Sequence, residues 1–143
     1  MCSGSEGLNG RRGTILVVDD DPDILEALIE ILAAEGFDVL AARHGQEALA
    51  QFSTRPPDLV LLDLMMPVMD GWEFASHMRK NPDWADVPIL VLSADRNVGM
   101  KAREIGAIGY LSKPFELSSL LEVVTRSLDA RAKAQPGRGS ASA

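Results

Sequence analysis

Five short apolar runs alternate with longer amphipathic segments along the middle of this chain, and no other feature constrains the fold as much. Neighbouring parallel strands need a crossover of about a dozen residues or more, which a helix usually supplies. The runs are Thr14–Val18, Val39–Ala42, Leu59–Leu62, Ile89–Leu92 and Ile108–Leu111. This alternation predicts an α/β fold with a doubly wound, five-stranded parallel sheet and helices on both faces. The second run is the least apolar, so we expect it at an edge of the sheet.

The amphipathic segments predict five helices. The first begins at Pro22, because Asp21 can accept hydrogen bonds from free backbone N–H groups and proline suits a first turn. Gly36 is placed to end this helix. The other predicted helices are Gln46–Thr54, Trp72–Lys80, Gly99–Ile105 and Glu116–Leu128. Gly99 and Asn97 lower the helix propensity of the fourth segment.

The length of the chain and the composition of its ends indicate one folded domain. A chain of 143 residues is close to the usual size of one domain, so we expect no attached effector domain. Residues 1–13 and 130–143 are rich in Gly, Ser, Ala and Arg and show no apolar periodicity. We expect a flexible leader and a flexible tail around a domain at 14–129.

Charge and cysteine content restrict the partners and the compartment. The chain carries 14 basic and 21 acidic residues, and its net charge of −7 would repel a nucleic-acid backbone. No apolar run approaches the about 18 residues that cross a bilayer, and the first residues lack the apolar region of a secretory signal. With Cys2 as its one cysteine, we expect a cytoplasmic protein that binds neither nucleic acid nor membrane.

Three aspartates follow two of the predicted strands. Asp19 and Asp20 follow the first strand and Asp63 follows the third, so all three emerge at the carboxyl edge of the sheet, where doubly wound folds bind ligands. Two carboxylates about 4 Å apart repel by about 1 kcal/mol in water and by about 4 kcal/mol near a protein surface. Such a cluster calls for a cation, and oxygen ligands without a His or Cys cluster favour Mg²⁺.

A calcium-binding loop is an alternative interpretation of these acidic residues. Asp19, Asp21, Asp23 and Glu30 fall at the first, third, fifth and twelfth positions of an EF-hand-like loop. The sixth position needs glycine for a sharp turn, but this chain has Ile24 there. The magnesium interpretation is therefore preferred.

Two more polar side chains follow later strands. Ser93 comes after the fourth strand and Lys113 after the fifth, so both should reach the same edge as the aspartates. Each alone is unremarkable, since a serine there often caps a helix and a lysine is usually solvated. Together with a cation, however, these groups suit a phosphoryl group. Metal and lysine would neutralise its oxygens, the hydroxyl would donate a hydrogen bond, and one carboxylate would attack phosphorus.

Four motifs, in a fixed order, carry a family resemblance. They are ILVVDDDPDI, PDLVLLDLMMPVMDGWEF, PILVLSA and GAIGYLSKPF. From Ile15 through the last helix, the chain closely resembles the receiver domain of response regulators in two-component signalling. The resemblance implies a flavodoxin-like sheet with strand order 2-1-3-4-5. It also implies that Asp63 accepts a phosphoryl group from the phosphohistidine of a sensor histidine kinase or of a histidine phosphotransfer protein.

The same resemblance implies a metal-binding role for four residues. Asp20 and Asp63 would be direct Mg²⁺ ligands, joined by the backbone carbonyl of Met65. Asp19 would help through water. The thioether of Met65 takes no part, so this residue does not indicate a soft-metal site.

The resemblance implies further roles around the phosphoryl group. Ser93 corresponds to the switch hydroxyl, Lys113 to the phosphate-binding lysine and Tyr110 to an aromatic residue that changes rotamer. Pro114 would follow a cis peptide that aims Lys113 inward. The residues that would shape the loop after the acceptor are Pro67 and Gly71.

The chain would therefore act as a single-domain response regulator, catalysing only its own phosphorylation and dephosphorylation. Once Asp63 is phosphorylated, Ser93 would move to the phosphoryl group and Tyr110 would turn into the vacated space. This movement would remodel a surface for an unknown downstream protein or for a phosphorylation-dependent homodimer. Alternatively, the domain would relay the phosphoryl group onward. The segment from Ser93 to Lys113 is shorter than in most family members and contains Gly99, so the resemblance implies least about this surface.

Two functions of other classes stay open on the sequence alone. A Mg²⁺-dependent phosphohydrolase would also use Asp63 as nucleophile, but it commonly needs an acid two residues later, where this chain has Met65. A docking module that works without phosphorylation would have lost pocket residues, and none is missing. His44 and His77 are isolated in the sequence, so neither is assigned to catalysis or metal binding.

Overall fold

A single sheet of parallel strands forms the centre of the fold. The computed structural model of the chain describes residues 13–63, 71–93, 97–113 and 115–134. The strands are β1 Thr14–Val18, β2 Asp38–Ala42, β3 Leu59–Asp63, β4 Ile89–Ser93 and β5 Gly109–Ser112. The helices are α1 Pro22–Ala34, α2 Gly45–Thr54, α3 Gly71–Lys80, α4 Val98–Glu104 and α5 Leu117–Ala134. The sheet order is β2-β1-β3-β4-β5, which confirms the predicted order and places β2 at an edge.

Most predicted element ends agree with the structure to within one residue, and α5 is the exception. This helix was predicted to end at Leu128, but it continues to Ala134. The added turns are polar and carry no apolar period, so their sequence offers no sign that the helix continues. The boundary predicted after residue 129 therefore falls inside α5. Residues 1–12 and 135–143 lie outside the described residues, and the flexibility of the leader and tail stays a prediction.

Both faces of the sheet are covered by helices, as predicted. Helices α1 and α5 pack on one face, whereas α2, α3 and α4 pack on the other. Successive residues of a strand point to opposite faces, so in β1 Ile15 and Val17 join the first layer while Leu16 and Val18 join the second. None of the helices within the described ranges combines the length and the apolar content that a membrane crossing requires.

Helix α1 begins and ends as its sequence predicts. The Asp21 carboxylate accepts hydrogen bonds from the N–H groups of Asp23 and Ile24 at 2.9 and 3.4 Å. Gly36 follows the helix with a φ of 95°, a left-handed conformation that suits glycine. The turn between β1 and α1 is therefore held in place, and that turn carries Asp19 and Asp20.

Helix α2 begins with a histidine cap that the sequence analysis did not identify. His44 Nδ1 accepts a hydrogen bond from the N–H of Glu47 at 3.3 Å. The Glu47 carboxylate accepts one in return from the backbone N–H of Arg43 at 2.7 Å. This hydrogen bond, together with the Arg43 charge, lowers the pKa of Glu47. His44 thus has a structural role in the described part of the chain. The arrangement is similar to a capping box, although the glutamate accepts its hydrogen bond from Arg43, the residue before the cap.

Arg79 connects the end of α3 to the end of α4. Its guanidinium donates hydrogen bonds to the carbonyls of Ala85 and Val87 at 2.7 and 3.1 Å. It donates a third to the carbonyl of Gly106 at 3.1 Å, in the turn after α4. The carboxyl-terminal end of α4 is therefore anchored to its neighbours.

Phe52 lies in the core of the second layer. Its side chain is 1% exposed and contacts Phe74 and Trp84 with ring centroids 5.9 and 5.0 Å away. Phe52→Ala should lower the free energy of unfolding by about 3 to 5 kcal/mol, because it leaves a cavity between α2 and α3. Chemical denaturation followed by tryptophan fluorescence measures this loss. Met100→Ala, at a side chain 63% exposed, is the control and should cost no more than about 0.5 kcal/mol.

Candidate functional site

Four strands deliver polar residues to one edge of the sheet. Asp19 directly follows β1, Asp63 ends β3, Ser93 ends β4, and Lys113 directly follows β5. Parallel pairing aligns these ends, with Asp63 opposite Leu92 and Ser93 opposite Ser112. The carboxyl edge of the sheet therefore gathers side chains that lie far apart in the sequence.

The three aspartates form one cluster of carboxylates. An oxygen from each of Asp19, Asp20 and Asp63 lies within 4.8 Å of the other two. Asp19 is 1% exposed and Asp63 is 6% exposed, whereas Asp20 is exposed. Two of the three carboxylates are thus removed from water, and their mutual repulsion is less screened than it would be at the surface.

Asp19 is fixed on both sides of its carboxylate. One oxygen accepts a hydrogen bond from the N–H of Asp21 at 2.9 Å, and the other accepts one from Lys113 Nζ at 2.8 Å. The Asp19 backbone N–H also donates to the carbonyl of Ala42, at the end of β2, at 3.1 Å. Such a buried carboxylate is stable only because it is paired and hydrogen-bonded.

Lys113 lies between the two buried carboxylates. Its Nζ is 2.8 Å from Asp19 and 3.5 Å from Asp63, and its side chain is 17% exposed. The backbone N–H of Lys113 donates to the Ser93 carbonyl at 2.9 Å, which fixes the residue against β4. Burial lowers the pKa of Lys113, but the hydrogen bond to Asp19 and the charges of Asp63 and Asp19 outweigh it and raise the pKa. Lys113 is therefore a charged group of the site and not a solvated surface lysine.

The donor set of the cluster fits a magnesium ion. Mg²⁺ takes oxygen ligands and is usually held by one or two carboxylates together with water. Three carboxylate oxygens within 4.8 Å of one another are close enough to share one ion. Lys113 offsets one of the three negative charges, so the described residues leave an excess of negative charge for a cation.

The structure brings only some of the predicted site residues together. Ser93 is buried at the same edge, whereas Tyr110 is half exposed on β5, with its ring against Gly99. Met65, Pro67 and Pro114 lie outside the described residues, so their predicted roles stay predictions. The predicted loop-shaping residue Gly71 is the first residue of α3.

Sequence reasoning missed two contributions to this region. The first is the backbone N–H of Asp21, which holds Asp19, and no side-chain pattern signals a backbone donor. The second is the contact between Gly99 and the ring of Tyr110. The signal for this contact was a glycine inside a predicted helix, where a glycine often marks a close approach.

Known proteins resemble this chain over most of its length. A family model described as the response regulator receiver domain matches residues 15–125. "Response regulator MprA" of Mycolicibacterium vanbaalenii is 41% identical over 131 residues, 90% of this chain and 55% of that protein. "Probable transcriptional regulator ycf27" of Porphyridium aerugineum is 42% identical over 127 residues, 83% of this chain and 50% of that protein. The solved structure of chemotaxis response regulator CheY4 of Vibrio cholerae has a TM-score of 0.74 and 33% identity, and the match covers 80% of this chain and 97% of that chain.

The chain spans about half the length of the curated relatives that it matches. The expectation that no effector domain is attached to it therefore stays a prediction. The similarity concerns the domain, and it runs from β1 into α5.

Removing one carboxylate should change stability in a way that depends on magnesium. In EDTA, Asp20→Asn should melt slightly above the wild type, because it removes one of three crowded negative charges. At a Mg²⁺ concentration near 100 times Kd, the wild type should gain about 2.7 kcal/mol, and the variant should gain much less. Thermal melts with and without Mg²⁺ measure both effects.

Asp83→Asn is the matched control for this measurement, since Asp83 is exposed in the loop after α3 and outside the cluster. It should melt like the wild type in both conditions. An equal response to Mg²⁺ in Asp20→Asn and Asp83→Asn would contradict the assignment of the ion to this cluster.

Proposed function

The chain belongs to the response regulator receiver family of two-component signalling, and from this premise we propose that Asp63 accepts a phosphoryl group from a phosphohistidine in a Mg²⁺-dependent reaction. The donor would be a sensor histidine kinase or a histidine phosphotransfer protein. One observation carries the proposal, namely that Lys113 Nζ lies 2.8 Å from Asp19 and 3.5 Å from Asp63, where three carboxylates meet.

Asp63 is the carboxylate best placed to act as nucleophile. It ends the central strand β3 and is 6% exposed, so its carboxylate is held by the sheet and is not fully enclosed. An Asp63 oxygen attacks phosphorus, the phosphorus–nitrogen bond of the phosphohistidine breaks, and its electron pair leaves with the imidazole, which takes up a proton from solvent. The product is an acyl phosphate on Asp63 and an unmodified histidine on the donor.

The residues around Asp63 supply charge at the positions where the reaction needs it. Lys113 provides a fixed ammonium for the phosphoryl oxygens as negative charge develops on them. Asp19 and Asp20 would hold the metal ion together with Asp63, and Asp19 is already positioned by Lys113 and by the N–H of Asp21. Bound Mg²⁺ supplies a second positive charge to the phosphoryl oxygens. We infer that these residues promote phosphorylation of the chain itself.

The proposed output is a change at the surface formed by α4, β5 and α5. Ser93 is buried at the end of β4, and Tyr110 lies on the neighbouring strand, opposite Val91. After phosphorylation Ser93 turns to the phosphoryl group, and the Tyr110 ring moves into the space that Ser93 leaves.

Exposed apolar side chains mark this surface as a place for a partner. Among the described residues, the large apolar side chains that are most exposed are Met100, Ile108, Tyr110 and Leu117. They belong to α4, to β5 or the residue before it, and to α5. We propose that a downstream protein or a second phosphorylated chain binds here. A relay role would instead use Asp63 to pass the phosphoryl group to another histidine.

Asp63→Asn should abolish labelling by acetyl phosphate in the presence of Mg²⁺, because an amide is not a competent nucleophile. EDTA should abolish labelling of the wild type. Mass spectrometry should find one phosphoryl group per wild-type chain, and Asp83→Asn should label normally. Label that survives in Asp63→Asn would refute the acceptor assignment, and sustained release of phosphate from phosphate esters would favour a phosphohydrolase.

Ser93→Ala should separate phosphorylation from the movement of Tyr110. Tyr110 is the one tyrosine of the chain, so tyrosine labelled with ¹³C gives a single ring spin system in NMR spectra. In the wild type, phosphorylation should shift this signal. In Ser93→Ala the shift should be mostly lost although Asp63 still takes up label. A full shift in phosphorylated Ser93→Ala would show that the hydroxyl does not couple the two residues.

A further inference from the structure

Gly99 lies directly beneath the ring of Tyr110. A Cβ atom placed on Gly99 would be 3.2 Å from Cε1 and Cζ of that ring and 3.3 Å from its hydroxyl oxygen. Ordinary contacts between carbon atoms are about 3.5 to 4.0 Å. The ring therefore occupies space that a side chain at this position of α4 would take.

The backbone at Gly99 is held more firmly than the ring above it. The neighbouring α4 residues Val98 and Ala102 are both buried in the core, and Arg79 anchors the turn that follows the helix. Tyr110, in contrast, is 50% exposed. If a methyl group were added at residue 99, the ring, and not the helix, would have to shift by a few tenths of an ångström.

The ring has two directions in which it could move. Tyr110 pairs with Val91 in the sheet, and Ser93 lies two residues further along β4, on the same face as Val91. An inward movement buries the ring on this face, whereas an outward movement exposes more of its apolar surface to water. The inward direction buries aromatic surface, which lowers the free energy, and the ring completes it when Ser93 makes room, as in the proposed switch.

We propose that Gly99 is a positioning residue that sets the resting conformation of the switch. By leaving room for the Tyr110 ring on α4, it keeps the unphosphorylated domain out of its signalling conformation. This inference rests on the proposed function, and it adds a residue that touches neither the metal site nor the phosphoryl group. It also accounts for a glycine inside a helix of seven residues, where alanine would favour the helix.

Gly99→Ala tests the inference in the full chain without any phosphodonor. The single Tyr110 ring signal should move toward the position that it has in the phosphorylated wild type. Nitration of Tyr110 by tetranitromethane should slow by about two- to fivefold, because the ring spends more time buried. With acetyl phosphate and Mg²⁺, the initial rate of Asp63 labelling should rise by about two- to fivefold, since the shifted population already resembles the product state.

Gly109→Ala is the matched control. It adds the same methyl group beside Tyr110 in β5, but its Cβ would meet only Leu90, at an ordinary 3.6 Å. Nitration and labelling rates of this variant should stay near those of the wild type. If Gly99→Ala nitrates faster than the wild type, or if both variants behave alike, the inference is wrong.

A melting experiment distinguishes contact with the ring from a general effect on the helix. Gly99→Ala should raise Tm more in a Tyr110→Ala background than in the wild type, because the crowding is gone when the ring is absent. Equal increases in both backgrounds would show that Gly99 does not act through Tyr110.

Failure of this inference is separable from failure of the proposed function. A wild-type chain that takes up no label on Asp63 overturns the phosphoryl-acceptor assignment and the switch built on it. Normal labelling of Asp63 with an unchanged nitration rate in Gly99→Ala overturns only the role of Gly99.

Discussion

The ion pair between Lys113 and Asp19 is the interaction on which the site depends. It joins the ends of β1 and β5 across 94 residues of sequence, at a distance of 2.8 Å. The Asp19 carboxylate is 1% exposed, and burying its charge without a charged partner would cost free energy. A second buried carboxylate, that of Asp63, lies 3.5 Å from the same lysine. Lys113 thus permits two negative charges to sit together away from water. This concentration of negative charge is the basis for the proposed cation site, and the cation together with Lys113 would attract the phosphoryl oxygens.

Strands β4 and β5, which carry Ser93 and Tyr110, connect the site to the surface that is proposed to change after phosphorylation. The Lys113 backbone is hydrogen-bonded to Ser93, and Tyr110 lies three residues before Lys113 on β5. Only one pair of neighbouring strands therefore separates a rearrangement around Ser93 from the Tyr110 ring, which lies against Gly99. This short path explains how a change of charge at a small, buried site could alter an exposed apolar surface without unfolding any element.

The sequence predicts the fold well because its strongest signal is periodic. Apolar runs and helix caps such as Asp21 are recognised from neighbouring residues in the sequence. Because the carboxyl ends of parallel strands meet at one edge of the sheet, the predicted strands also place Asp19, Asp20 and Asp63 close together. The burial of Lys113 is not local, since it depends on how closely β5 approaches β1 across the site. The extension of α5 was not predicted because its last turns are polar. The contact between Gly99 and the Tyr110 ring depends on how α4 packs against β5, which the sequence does not show.

We propose that one divalent ion and one phosphoryl group share the carboxyl edge of the sheet. Mn²⁺, which prefers the same oxygen ligands as Mg²⁺, broadens the NMR signals of nearby amides and so maps where the ion binds. A substoichiometric Mn²⁺ titration should broaden the amides of Asp20, Asp63 and Lys113 first, and excess Mg²⁺ should restore them. Strongest broadening in the acidic loop after α3, at Asp83 and Asp86, or broadening that Mg²⁺ does not reverse, would contradict the account.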